Sequence, residues 1–287
     1  MTVPASTASP DRRAATPTRG AGPLARELRT VCGLVHRDLL RLVRQPVQAG
    51  LMLVQPLMFL LSLGGGLGAL IPDTATGGDY RTFLFPGILV TALQTSSIGV
   101  GVRLIADRDS GYLRETLMSP ARRGTVLTGL CLGGTAVATA QGTVLLAFVG
   151  TSALPYAPTL LAGLFALMLL TAFTLAALSC LPAVVIRSLD NFHILLSLAM
   201  LPLVFLSGAF FPLSALPGWL HPLAALNPVA YSVDLMHHCV QHHAPTITPA
   251  VLDWGGWTPP GALEVVTLLV LDVLVLGFAA RRLARPG

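Results

Sequence analysis

The sequence predicts an all-α membrane protein with six transmembrane helices, and three observations carry that prediction. Only 11% of its 287 residues are charged, against about 25% in soluble domains. Six separate stretches are apolar and long enough to cross a bilayer. The arginines between those stretches fall on alternate sides. With 53% hydrophobic residues and a mean hydropathy of +0.73, a water-soluble fold could not cover the apolar surface.

The net charge of +5 raises the question of nucleic acid, but the basic residues are not gathered on one domain. All 18 are arginine, and the chain contains no lysine. Their spacing follows membrane topology rather than a phosphate-binding surface. The absence of lysine, together with the richness in Ala, Gly and Pro, points to a GC-rich bacterial genome. Cys32, Cys131, Cys180 and Cys239 are scattered, with no CxxC pair. They read as small apolar filler rather than a disulfide framework or zinc ribbon.

Residues 1–23 are rich in Pro, Ala, Ser and Thr and lack an apolar signal region, which predicts a disordered cytoplasmic tail. Residues 24–45 repeat Leu24, Leu28, Val31, Leu34, Val35, Leu39, Leu42 and Val43 at helical spacing, with arginines between them. This is the pattern of an amphipathic helix lying along the inner membrane face, broken by Pro46. The six-span transmembrane domain occupies 46–287.

A span needs about 20 apolar residues. The expected spans run over 49–71, 83–106, 125–150, 158–186, 193–213 and 262–280. Eight arginines precede the first, five lie between the second and third or at their edges, Arg187 follows the fourth, and Arg281, Arg282 and Arg285 follow the sixth. The opposite side holds Arg81 alone. This positive-inside distribution places both termini in the cytoplasm. Residues 214–261 are moderately apolar and interrupted by Pro217, Pro222 and Pro228, which predicts short re-entrant helices near the outer surface.

The cytoplasmic loop after the second span reads Asp107-Arg108-Asp109-Ser110-Gly111-Tyr112-Leu113-Arg114-Glu115-Thr116-Leu117-Met118-Ser119-Pro120. Leu113 and Leu117 stand one helical turn apart, charges fill the other faces, and Pro120 stops the turn. A short charged helix between two spans is suited to pushing on them when a soluble partner grips it.

That loop resembles the coupling helix of type-2 ABC exporter permeases. Asp107, Arg108, Asp109, Gly111, Leu113, Leu117, Ser119 and Pro120 match the pattern, whereas Tyr112, Thr116 and Met118 depart from it. Tyr80-Arg81-Thr82-Phe83-Leu84-Phe85-Pro86-Gly87 is similar to the family's approach to the second span. Leu206 to Pro212, with Leu226-Asn227-Pro228-Val229-Ala230-Tyr231 and Asp234, resembles its outer signature. The likeness covers about residues 24–285 and is nearest the daunorubicin-resistance-type drug and antibiotic exporters.

The resemblance implies an ATP-driven exporter in the bacterial plasma membrane, moving an amphipathic drug, antibiotic or lipid-like molecule. It implies coupling to an ATPase through Asp107, Arg108, Asp109, Gly111, Leu113, Glu115, Leu117 and Pro120. A phosphate-binding GxxxxGK[ST] loop cannot occur in a chain without lysine. The chain is therefore expected to be no enzyme. It would carry no cofactor, leave ATP and magnesium to a separate ABC ATPase subunit, and pair with a second copy of itself.

Polar residues inside the spans are the candidates for a substrate path: Gln55, Gln94, Gln141 and Asp272. An acid at mid-span costs at least about 2.5–3.5 kcal/mol to insert, so Asp272 is expected to face a partner or a cavity. His237, His238, His242 and His243 flank Cys239, but their spacing is no recognised ligand set and no metal site is expected. Two other classes stay open. An ion-coupled secondary transporter would show inverted repeats and more intramembrane charge. A membrane-embedded transferase would use the histidine-rich outer segment.

Overall fold

A computed structural model describes residues 23–66, 79–110, 123–152, 154–186, 188–243, 252 and 258–284. Among the described residues the regular elements are helices, with no strand. In chain order they are α1 (Pro23–Arg44), α2 (Pro46–Gly66), α3 (Tyr80–Asp109), α4 (Arg123–Leu146), α5 (Pro158–Val185) and α6 (Leu189–Phe205). There follow α7 (His221–Ala225), α8 (Pro228–Gln241) and α9 (Gly261–Ala284), with short 3-10 turns after α4 and α6. The proposed tail at 1–22 lies outside the described residues.

Among the described residues, five helices are long and apolar enough to cross a membrane: α2, α3, α4, α5 and α9. The expected fifth span differs. Its helix, α6, has 17 residues and stops at Phe205 rather than continuing to 213. Pro202 already weakens its last turn, and Gly208 adopts φ 77°, a left-handed geometry that glycine reaches without a Cβ penalty. The chain folds back there, which places the Ala209 backbone directly against Gly87 of α3.

α3 is the centre of the bundle. Phe83, Leu84, Ile88, Leu89, Leu93, Val100 and Leu104 point in all directions around it and all are buried. An apolar pattern that runs all round a helix is what a fully surrounded helix needs. In a bilayer, close packing rather than water exclusion joins such helices, so small residues sit at the contacts. Gly101 meets Phe192 of α6 and the Ser179 carbonyl of α5, and Gly142 of α4 meets Leu93 and Met168. Ser97 donates to the Ala172 carbonyl at 3.3 Å, and Ser179 donates to the Ser97 carbonyl at 3.2 Å, knitting α3 to α5.

α1 does more than coat a surface. Leu34 packs on Gly129 of α4, and Asp38 packs on Gly133 one turn further along. Leu28 and Val43 remain exposed on the other side. The helix thus has two apolar ridges, one for α4 and one for its surroundings.

α2 buries Pro56, Leu60 and Gly64, with Leu53, Leu57, Phe59 and Leu63 half-buried against the same core. Its opposite face exposes Val47, Leu51, Val54, Met58 and Leu61 at a 4-3-4-3 spacing, and α6 exposes Ile194, Leu198, Leu201 and Phe205 in the same rhythm.

α7 and α8 fill the end of the bundle opposite the arginines. Asn227 caps α8 by accepting from the Val229 amide at 3.0 Å, and its own amide donates to the Leu203 carbonyl at 2.7 Å. Tyr231 donates to the Ala225 carbonyl at 2.7 Å, which closes α7 onto α8. The inner face of α8 is buried against α3, α5 and α9. His237, from the histidine-rich outer segment, is fully enclosed. Its ring stacks on Phe83 with 4.9 Å between centroids, and Nε2 lies 2.9 Å from the Phe83 carbonyl. Burial pushes its pKa down to about 4, so the imidazole is neutral near pH 7.

Candidate functional site

Two large cavities meet at Gln94. The first, about 890 Å³, lies between α2, α3 and α6 and is lined by Gln55, Phe59, Thr91, Gln94, Met200 and Phe210 among others. The second, about 830 Å³, lies across α6 and is bounded by α3, α5, Val229 at the start of α8 and Phe278 of α9. Ile98, Gln94, Leu196 and Met200 line both, so α6 stands between them as a partition.

The walls are largely apolar with a few polar groups, the usual chemistry of a small-molecule site. The Gln94 amide nitrogen faces the Met200 sulfur at 2.8 Å, and its oxygen accepts no hydrogen bond among the described residues. A buried acceptor left bare costs about 1–3 kcal/mol, and turning the Gln94 amide toward the cavity would let a ligand's donor recover that cost. Phe210 packs edge-on to Phe59 at 5.6 Å and tilts against Phe205 at 5.9 Å. The Tyr80 hydroxyl donates to the Phe210 carbonyl at 2.9 Å and fixes the aromatic group on α3.

The four expected path residues do not converge. Gln55 and Gln94 share the first cavity. Gln141 is buried elsewhere, accepting from the Ser96 hydroxyl and facing the Met52 sulfur at 3.5 Å. It lines a third, small cavity of about 170 Å³ at the arginine-rich end, beside Asp38, Arg41 and Arg103. Asp272 lines none of the three. It is enclosed between α9 and α5, accepting from the Thr174 hydroxyl at 3.1 Å.

Of the expected coupling residues, Asp107, Arg108 and Asp109 end α3. Arg108 donates to the Val184 carbonyl at 3.3 Å, in the last turn of α5, and to the carbonyl of Ile186, the residue that caps it, at 3.4 Å. Cations are favoured at a helix C-terminus because they meet the negative end of its dipole. Asp107 lies 3.9 Å from Arg37 of α1. Gly111, Leu113, Glu115, Leu117 and Pro120 lie outside the described residues.

The ionic group behind that junction was not anticipated. Asp38 stands 3.3 Å from Arg37 and 3.6 Å from Arg103, joining α1 to α3 beside α4. One sequence signal was available: Asp38 follows Leu34 by four residues, so an acid sits on the apolar ridge of α1.

The sequence has known relatives. The family profile described as ABC-2 type transporter matches residues 29–239, from α1 through most of α8. The chain belongs to the ABC-2 type transporter family. Nodulation protein J of Neorhizobium galegae is 28% identical over 200 residues, covering 68% of this chain and 75% of the relative. The putative transport permease ycf38 of Cyanophora paradoxa is 24% identical over 247 residues, covering 84% of each. A second ycf38, from Porphyra purpurea, is 26% identical over the same length, again 84% of each. ABC-2 membership makes the chain a multi-pass membrane permease subunit and implies an ABC ATPase as its partner.

Proposed function

We propose that this ABC-2 permease subunit exports an amphipathic small molecule, a drug, an antibiotic or a lipid-like compound, driven by ATP in the separate ATPase. The cavity of about 890 Å³ at Gln94 carries the reading. It offers aromatic faces from Phe59, Phe205 and Phe210 and one unfilled acceptor, which suits a planar apolar compound bearing a hydrogen-bond donor. The resemblance of 107–120 to drug-exporter coupling segments supports the subtype.

In this reading α6 is the fifth of six spans, α7 and α8 are re-entrant on the outer side, and both termini lie in the cytoplasm of a bacterial cell. The exposed stripes of α2 and α6 flank the first cavity and suit pairing with a second copy, which would close that cavity from its open side. The ATPases grip 107–120, and Arg108 passes their movement from α3 to the end of α5. Rigid-body tilting of that pair opens the cavity outward. A proton-coupled transporter would need Asp272 on the path; its place beside Thr174, away from the cavities, favours the ATP-coupled reading.

Fluorescence titration of the purified chain with a planar amphipathic dye tests the site. The expected result is saturable binding, weakened several-fold by Phe210→Ala and by Gln94→Leu. Binding indifferent to both substitutions would place the cargo elsewhere.

A further inference from the structure

α8 carries Asp234 and His238 one turn apart, facing the first turn of α9. There Glu264 completes a three-residue cluster whose ligand atoms all lie within 4.8 Å of one another. The His238 Nε2 is 3.9 Å from Asp234 Oδ2, which also accepts from the Leu252 amide at 3.3 Å. Asp234 is 1% exposed and Glu264 0%, whereas the His238 side chain is 39% exposed at the mouth of the group. The Asp234 and Glu264 carboxyls lie close enough to share one hydrogen bond, and apart from each other neither Glu264 oxygen nor Asp234 Oδ1 has a hydrogen-bond partner among the described residues.

Two enclosed carboxylates this close cannot both stay ionised without a cation between them. The hydrogen bonds nearby do not supply that charge. The geometry points to a binding site for a first-row transition dication, of the zinc(II) class, made by Asp234, His238 and Glu264.

Three features select that class. Two carboxylate oxygens and one imidazole nitrogen form a mixed oxygen–nitrogen set, which suits zinc and its neighbours; calcium and magnesium prefer oxygen-only shells of six or more. Three protein ligands with one outward position match a four-coordinate ion keeping a water. Ligand atoms around tetrahedral zinc lie about 3.3 Å apart at the usual bond lengths. Binding would therefore draw the His238–Asp234 gap in from 3.9 Å, and the widest gap of the set in from at most 4.8 Å, by side-chain rotation. The bound ion would tie α8 to α9, with Asp234 also holding the Leu252 amide. His237 takes no part, since both of its nitrogens face backbone carbonyls within 3.0 Å. The site stands apart from both large cavities and is independent of the export reading.

The test uses the full chain, purified in detergent without a histidine tag, stripped with chelator and titrated with zinc alone. The expected result is one zinc per chain by elemental analysis and a rise in melting temperature on loading. Both should be lost in His238→Gln and Glu264→Gln and kept in the His242→Gln, His243→Gln double variant. Cobalt(II) titration should give a visible absorption band in the wild type that His238→Gln removes. His238 is partly exposed, so that variant keeps the test decisive if Glu264→Gln fails to fold. Absence of stoichiometric zinc in the wild type would overturn the proposal and leave a carboxyl pair sharing a proton. Zinc retained in both ligand variants, or lost in the His242, His243 double variant, would overturn it equally.

Discussion

The Asp38 carboxylate of α1 stands 3.6 Å from the Arg103 guanidinium of α3, with the Asp38 side chain 1% exposed. This contact joins the amphipathic helix to the helix that runs straight into the segment at 107–120. Breaking a buried pair by removing one partner costs about 3–5 kcal/mol, and the 18% exposure of Arg103 places this pair at the low end. Asp38→Leu and Arg103→Leu should each lower stability by about 3 kcal/mol. The double variant should recover much of the loss, which a double-mutant cycle of thermal melts in detergent will read.

Gly87 is a close-approach position. A methyl there would overlap the Ala209 backbone, which the turn at Gly208 fixes in place. Gly87→Ala should cost about 3 kcal/mol or prevent assembly of the turn after α6, because backbone cannot yield as a side-chain tip can. Gly99→Ala, on the same helix with nothing within 4 Å, is the control and should leave the melt unchanged.

Gln94 should separate cargo recognition from stability. Gln94→Leu removes an acceptor that nothing in the described structure fills, so the melt should hold or rise slightly. Binding of a compound with a hydrogen-bond donor should weaken about tenfold, the worth of one net hydrogen bond of about 1.4 kcal/mol. A methylated analogue lacking the donor should bind both forms alike, which competition binding will measure.

His237 predicts an acid-sensitive fold. Burial lowers its pKa to about 4, whereas the unfolded chain titrates near 6.5. The unfolded state therefore takes up a proton first as pH falls. The stability linked to His237 is full above about 6.5 and is lost progressively as pH drops toward about 4. Melts across that window should slope less steeply in His237→Gln than in the wild type.

Much of the fold was readable because bilayer crossing imposes a local demand. Hydropathy over about 20 residues marked α2, α3, α4, α5 and α9 within a few residues of their ends. Pro46 separated α1 from α2 as its missing amide requires. The end of α6 was misjudged because the apolar run continues through Phe210 and Phe211, while Gly208 turns the backbone without changing hydropathy. The depth of burial of α8 was less legible. Its Asp234 and His237 look like surface chemistry until their partners are known, and the Phe83 carbonyl that faces His237 is 154 residues away.

The cavity residues divide along the same line. Gln55 and Gln94 were found by their polarity within spans, and they do share a cavity. Gln141 and Asp272 carry the same signal yet face protein, Ser96 and Thr174, and Asp272 keeps one oxygen without a hydrogen-bond partner among the described residues. Polarity in a span marks a need for a partner and does not say whether that partner is protein or cargo. Glu264 escaped notice because its neighbours Asp234 and His238 come from another helix.

Transport into inside-out vesicles bearing this chain and its ATPase, with Leu113→Arg as the comparison, bears most directly on ATP-coupled export through 107–120. Uptake of the cargo should require ATP, stop with orthovanadate and fall at least about tenfold in Leu113→Arg while the two subunits still co-purify. Uptake that persists in orthovanadate and in Leu113→Arg, but collapses when the proton gradient is discharged, would contradict the ATP-driven mechanism.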